Sequence, residues 1–224
     1  MRIEKTFNIN DSQSFRHSAI KTRYDITAQA LSQKIEIDVP IENVNFNVGL
    51  IVGGSGTGKS TIVNEMFKNV KPCEWSNSSI LENFDSRLSI EEIVQALSSV
   101  GFNCPPFWLK PFSVLSNGEK MRVQLAREIL EKDLIVFDEF TSVVDREVAK
   151  ATSFAIQKAV RKMNKKFVAV SCHSDIIEWL NPDWILDTNT MSFFLLKNKN
   201  DQTSNTRSES AQSLYGQSLK TITI

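Results

Sequence analysis

The sequence predicts an α/β fold, a mainly parallel sheet flanked by helices, and three observations carry that prediction. Short apolar runs of buried-strand type, at 46–52, 134–137 and 167–171, alternate with helical stretches. Five of the eight glycines crowd into positions 49–58, between the first of these runs and a helix. That is where a backbone bends tightly or approaches a ligand closely. The second run ends in two acids, Asp138 and Glu139.

Composition sets the class. The chain has 224 residues, 41% of them apolar and 23% charged, enough for a core that needs no disulfide or metal. Basic and acidic residues balance at 26 each, which argues against a protein that works by coating DNA or an acidic membrane. Cys73, Cys104 and Cys172 are far apart and form no CxxC pair, so reduced thiols in a cytoplasmic protein are expected. The N-terminus lacks the apolar stretch of a secretory signal, and no run reaches the roughly 18 apolar residues of a membrane span. Service at a membrane would go through a partner.

Residues 1–45 read as short strands and turns, an N-terminal antiparallel β part in which KIEIDV (34–39) alternates most clearly. A strand over 46–52 leads through the glycine loop into a helix from Lys59 to about Asn69. Residues 70–88 carry no clear pattern. Ser89 and Glu92 form a capping box ahead of a stripe of Ile90, Ile93, Ala96 and Leu97 that ends before Gly101. Pro105, Pro106 and Pro111 predict a non-helical connector. Helices follow over 117–131, with Val123, Ala126 and Leu130 on one face, and over 146–163. Trp184–Asp187 and 192–197 are closing strands. The expected organisation is one domain over 1–197, with a reduced helical subdomain near 76–131, and a polar, flexible tail over 198–224.

Gly53-Gly54-Ser55-Gly56-Thr57-Gly58-Lys59-Ser60, followed by Thr61, fits G-x-x-x-x-G-K-[ST] between strand and helix. Successive N–H groups and the helix N-terminus can cradle a β-phosphate. Lys59 is placed to reach β- and γ-phosphates, and the Ser60 hydroxyl to ligate Mg²⁺. The alternative is a plain glycine-rich turn. Asp138, ending a buried strand after such a loop, can hold Mg²⁺ through water, and Glu139 can polarise an attacking water.

Leu115-Ser116-Asn117-Gly118-Glu119 opens the helix at 117 and resembles the LSGGQ signature of the ABC-type ATPases, a group of P-loop NTPases. The following KMRVQLAR suits that family, as does the order of phosphate loop, signature and strand ending Asp-Glu. Thr141-Ser142-Val143-Val144-Asp145 resembles the D-loop, and His173 the switch histidine. The resemblance covers about residues 35–187. CPPFWLKPF (104–112), DEFTSVVDR and VAVSCH further resemble a bacterial and phage group often joined to an acetyltransferase-like domain, which this chain has no room for after His173.

The resemblance implies a P-loop ATPase that binds ATP with Mg²⁺ and closes head to tail, as a homodimer or as a heterodimer with another ABC protein. Each ATP would lie between one phosphate loop and the other subunit's signature, where Ser116, the Gly118 N–H and the helix N-terminus meet the γ-phosphate. Lys59, Glu139 and His173 would be the catalytic set and Asp145 the D-loop acid. A satisfied histidine at a strand end is the plain alternative for His173.

Three departures matter. Asn117 and Glu119 stand where Gly and Gln are usual. Only 57 positions separate Lys59 from Ser116, fewer than transporter subunits use to grip a membrane partner. No Q-loop glutamine is evident; Gln95 lies in the capped helix, and the missing position falls near Glu74-Trp75-Ser76-Asn77. Tyr24 and Phe15 are candidates for stacking on adenine, each with a core or surface role as its alternative. The basic run Arg161–Lys166 is either a DNA contact or a solvated helix end. These features favour a soluble, non-transport ATPase acting on a protein or nucleic-acid partner. A transporter subunit and a nucleotide-gated module with negligible hydrolysis are the alternatives.

Overall fold

The computed structural model describes residues 1–8, 14–26 and 32–196, so the expected tail lies outside the described residues. The chain divides into two compact units, one over residues 1–44 and one from residue 45 onward.

The first unit pairs β1 (Arg2–Asn8) antiparallel with β2 (Ser32–Asp38). Alternation puts Ile3, Ile35 and Ile37 on a buried face. On the other face Glu4 sits opposite Glu36, and Lys34 bridges both carboxylates at 3.0 and 2.8 Å. Between these strands lies a helix that the sequence pattern does not announce, α1 (Phe15–Tyr24). It buries none of its residues, so it has no apolar stripe to reveal it. Ser14 caps its start by accepting from the His17 N–H, and Asp25 ends it in a left-handed conformation.

The second unit holds a five-stranded sheet in the order β4-β5-β3-β6-β7. Its strands are β3 (Val48–Val52), β4 (Leu134–Phe137), β5 (Lys166–Ser171), β6 (Trp184–Asp187) and β7 (Ser192–Leu195). The first four run parallel, and β7 closes the edge antiparallel to β6. All five residues of β3 are buried, as a central parallel strand requires. The Trp184 indole lies against Gly49 so closely that a Cβ there would stand 2.1 Å from a ring carbon. That glycine makes room for packing and takes no part in the phosphate loop.

The helices are α2 (Lys59–Met66), α3 (Ile90–Ser99), α4 (Pro105–Trp108), α5 (Asn117–Glu131), α6 (Arg146–Lys162) and α7 (Ile176–Leu180). The capping box of α3 is present, with Ser89 and Glu92 exchanging side-chain and backbone bonds. On α5, Val123 and Ala126 are fully buried and Leu130 half-buried. The proline connector differs from expectation: Pro105 and Pro106 occupy the first turn of α4, where the missing N–H has no helical partner to lose.

The parallel register explains where function can gather. Val52 pairs with both Ser171 and Asp187, and Phe137 with Ala169. The segments that leave β3, β4, β5 and β6 therefore depart from one carboxyl edge of the sheet, where α/β folds bind ligands.

Candidate functional site

The phosphate-loop segment leaves β3 at Gly53 and enters α2 at Lys59. Gly58 makes the transition at φ 88°, a left-handed conformation that favours glycine. The Lys59 ammonium folds back over the loop and donates to Gly53 O at 2.9 Å and Gly54 O at 2.6 Å. Thr57 Oγ1 donates to Gly54 O at 2.9 Å. Ser55, Gly56 and Thr61 complete the segment, with Ser55 and Gly56 at its tip.

Ser60, the second residue of α2, donates from its hydroxyl to Asp138 Oδ2 at 2.8 Å. This bond joins residues 78 positions apart and ties the end of β4 to the start of α2. The other Asp138 oxygen accepts the Glu139 N–H at 2.9 Å. Glu139 and Thr141 both adopt positive φ, 54° and 69°. Such backbone in non-glycine residues persists where surrounding contacts over-determine it. Here the fully buried Phe140 ring packs edge-on to Phe167 at 5.3 Å, and the Phe140 N–H donates to Val170 O at 2.8 Å. The turn so fixed leaves the Glu139 carboxylate exposed beside Asp138. His173 is also exposed, two residues beyond β5, and its N–H donates to Ser171 Oγ at 3.1 Å.

The signature segment is built differently. Ser116 caps α5 in a box with Glu119. The Ser116 N–H and hydroxyl donate to Glu119 Oε2 at 2.9 and 2.7 Å, and the Glu119 N–H returns to Ser116 Oγ at 3.4 Å. These bonds hold the Glu119 carboxyl below its ordinary range. The glutamate that departs from the signature pattern is thus the reciprocal partner of the cap. Gly118 faces the turn ahead of α6: a Cβ there would meet Val144 Cγ1 at 3.1 Å. Leu115 is buried, while Asn117 is exposed at the helix start. Asp145 caps α6 by accepting the Val148 N–H at 2.9 Å.

The stretch where a Q-loop glutamine is missing is anchored to α5. Trp75 stacks on Phe112 with centroids 4.4 Å apart, donates from Nε1 to Gln124 and lies under the Arg127 guanidinium. Gln124 Nε2 donates to Cys73 O and Glu128 Oε1, and Arg127 to Glu74 O at 2.7 Å. Nothing in the spacing of residues 70–88 signals these bonds, because their partners lie some fifty positions away. Gln95 is exposed on α3. Phe15 and Tyr24 are both exposed on α1, 87% and 64%.

The basic run is largely committed to structure. Arg161 pairs with the buried Asp183 at 2.9 Å and donates to Asn181 O. Lys165 donates to Ile129 O and Leu130 O, and burial pushes its ammonium pKa down. Asp183 also accepts the N–H groups of Asn47 and Val48, fixing the entry to β3. Arg161 and Lys165 are thus bonded into the fold, which differs from the solvated helix end that the sequence suggests.

No known family profile matches the chain. It is 27% identical over 213 residues to heavy metal tolerance factor 1 of Caenorhabditis elegans, covering 73% of this chain. The chain matches 26% of that curated relative's length. Among solved structures, it is similar to dimeric MJ0796, a bacterial ABC transporter cassette, with TM-score 0.56 and 16% identity. That match covers 84% of this chain and 94% of the other. It is also similar to the dimeric post-hydrolysis state of the ATP-binding cassette MJ0796 bound to ADP and Pi. There the TM-score is 0.53 and the identity 18%, over 69% of this chain and 84% of that one. Together with the ordered motifs, these likenesses assign the chain the fold of the ABC-type ATPase cassettes.

Proposed function

We propose that this chain binds ATP at the loop Gly53–Ser60 and hydrolyses it as one half of a head-to-tail dimer. The observation that carries the reading is the 2.8 Å bond between Ser60 Oγ and Asp138 Oδ2, at the foot of the glycine loop and beside Lys59. A hydroxyl and a carboxylate oxygen together suit Mg²⁺, which favours hard oxygen donors, so Ser60 and Asp138 would hold it. When bound, Mg²⁺ would supply charge neutralisation on the phosphate oxygens.

The chain's own residues account for the rest. Lys59 already makes two bonds to loop carbonyls, which phosphate oxygens can take over without moving the helix. Backbone N–H groups from Ser55 to Thr61 and the N-terminus of α2 would hold the phosphates. Glu139, exposed and held by its turn, would orient the attacking water and accept its proton. His173 would contact the same water or the γ-phosphate. From the partner subunit, the segment equivalent to Leu115–Glu119 would close over the nucleotide, with the D-loop and Asp145 beside it. Neither subunit alone would complete the site, so hydrolysis would be tied to closure and opening.

The closed dimer would drive or gate a protein or nucleic-acid partner as a soluble, cytoplasmic, non-transport ATPase. The short connection between Lys59 and Ser116 supports this reading. A second reading, the ATP-binding subunit of a membrane transporter, is favoured by the likeness to a bacterial ABC transporter cassette. Among the described residues no helix is long and apolar enough to cross a membrane. Capture of partners by the nucleotide-trapped protein separates the two, since a co-purifying permease would reject the soluble role.

The activity itself is tested by ATP binding and steady-state hydrolysis. Lys59→Ala should abolish nucleotide binding. Asp138→Asn should retain binding and lose the Mg²⁺-dependent rate by 10²-fold or more, on the order of one catalytic group's contribution. Full activity in either variant would reject the assignment.

A further inference from the structure

The phosphate loop is held from outside by a turn that no motif includes. Thr188 and Asn189 follow β6 directly, and the pairing of Asp187 with Val52 brings them beside the point where the loop begins. Asn189 Oδ1 accepts the Gly54 N–H at 2.9 Å. Asn189 is itself fixed, its N–H donating to Asp187 Oδ1 at 2.8 Å. The Thr188 N–H donates to Val52 O at 2.8 Å, which locks the turn to the last residue of β3.

The hydroxyls add a second tether. Thr57 Oγ1 and Thr188 Oγ1 lie 2.6 Å apart, Thr57 Oγ1 reaches Gly54 O at 2.9 Å, and Thr188 Oγ1 reaches Val52 O at 3.2 Å. Each hydroxyl has one proton, so two arrangements satisfy the set. Thr188 donates to Thr57 while Thr57 donates to Gly54 O, or Thr57 donates to Thr188 while Thr188 donates to Val52 O. Either way the base of the loop is bonded to the turn. The approach is close: a Cβ on Gly53 would stand 2.0 Å from Thr188 Oγ1. A glycine-rich loop has much backbone freedom to lose when its N–H groups converge on a phosphate. An anchor that removes this freedom beforehand raises affinity without touching the ligand.

We infer that Thr188 and Asn189 are positioning residues that pre-organise the phosphate loop for the nucleotide. This rests on the ATP-binding reading above. The test uses Asn189→Ala, because Asn189 is exposed and its removal leaves the core intact. Two quantities are read on the full chain: amide hydrogen exchange of residues 53–58 without nucleotide, and Kd for ATP beside KM and kcat. The expected result is faster exchange of the loop, Kd and KM raised about fivefold for one lost hydrogen bond, kcat within twofold and an unchanged Tm. Thr188→Ser should stay near wild type, because it keeps the hydroxyl, whereas Thr188→Val should add to the effect of Asn189→Ala. Unchanged exchange in Asn189→Ala overturns the inference whatever happens to the nucleotide. Faster exchange with unchanged Kd overturns it too, leaving a purely structural tether. A wild-type chain that binds no ATP rejects the functional reading itself, and the inference with it.

Discussion

The phosphate-loop half of the candidate site and its signature half are built in opposite ways. The first is assembled from distant segments: Ser60 on α2 bonds Asp138 after β4, and Gly54 and Thr57 bond the turn after β6. The second is local. Ser116 spends its N–H and hydroxyl on Glu119 three residues away, and beyond the helix the segment is packed through Gly118 against Val144. An assembled cluster fixes several groups around one point and can prepare a ligand site by itself. A self-capped helix start offers a rigid end to something outside its own segment. The difference is what a composite site would require: one complete cradle and one prepared cover, completed only by a second copy.

The largest effect is expected in the assembled half. Glu139→Gln should keep ATP binding and lower kcat by 10²-fold or more, the typical contribution of a positioned general base. Hydrolysis at the native rate would remove Glu139 from its role. In the signature half, Ser116→Arg should leave ATP binding to the isolated subunit near wild type but abolish nucleotide-dependent pairing. Equal loss of binding in the monomer would mean that the two halves belong to one site within the same chain.

The smallest effect sharpens the view of the cap. Glu119→Ala removes one side of a capping box and should lower stability by about 1 kcal/mol. Its sign with pH follows from the depressed carboxyl. The unfolded carboxylate titrates near the ordinary 4.5 and the folded one lower. The stabilisation is therefore present above about 4.5 and is lost as pH falls through the folded value. Thermal melts of wild type and Glu119→Ala should differ at neutral pH and converge in acid.

How far the sequence was legible follows the same division. The strands β3, β4, β5 and β6 were readable because buried parallel strands are continuous apolar runs, and only their ends moved by a residue or two. The Ser89–Glu92 capping box is readable, since it is a local relation three residues apart, whereas the same box at Ser116–Glu119 is masked by the signature it belongs to. Motif chemistry assigns Ser60 and Asp138 separately to one Mg²⁺, and their direct bond comes from the fold. Helix α1 was missed because it buries nothing, and α4 because prolines mark a helix start as readily as a break. The turn at Thr188–Asn189, the Trp75–Gln124 anchor and the Arg161–Asp183 pair were missed for another reason. Each joins residues distant in the chain, and neither period nor spacing encodes such a pairing.

In the proposed closed state, ATP is shared by two copies of this chain. Light scattering on Glu139→Gln, with and without ATP and Mg²⁺, tests it most directly, because blocked hydrolysis should trap the closed state. The expected result is a shift from the 25.3 kDa monomer to about twice that mass only when nucleotide is present. The shift should disappear in Glu139→Gln/Ser116→Arg. A monomer that binds ATP and stays a monomer would contradict it.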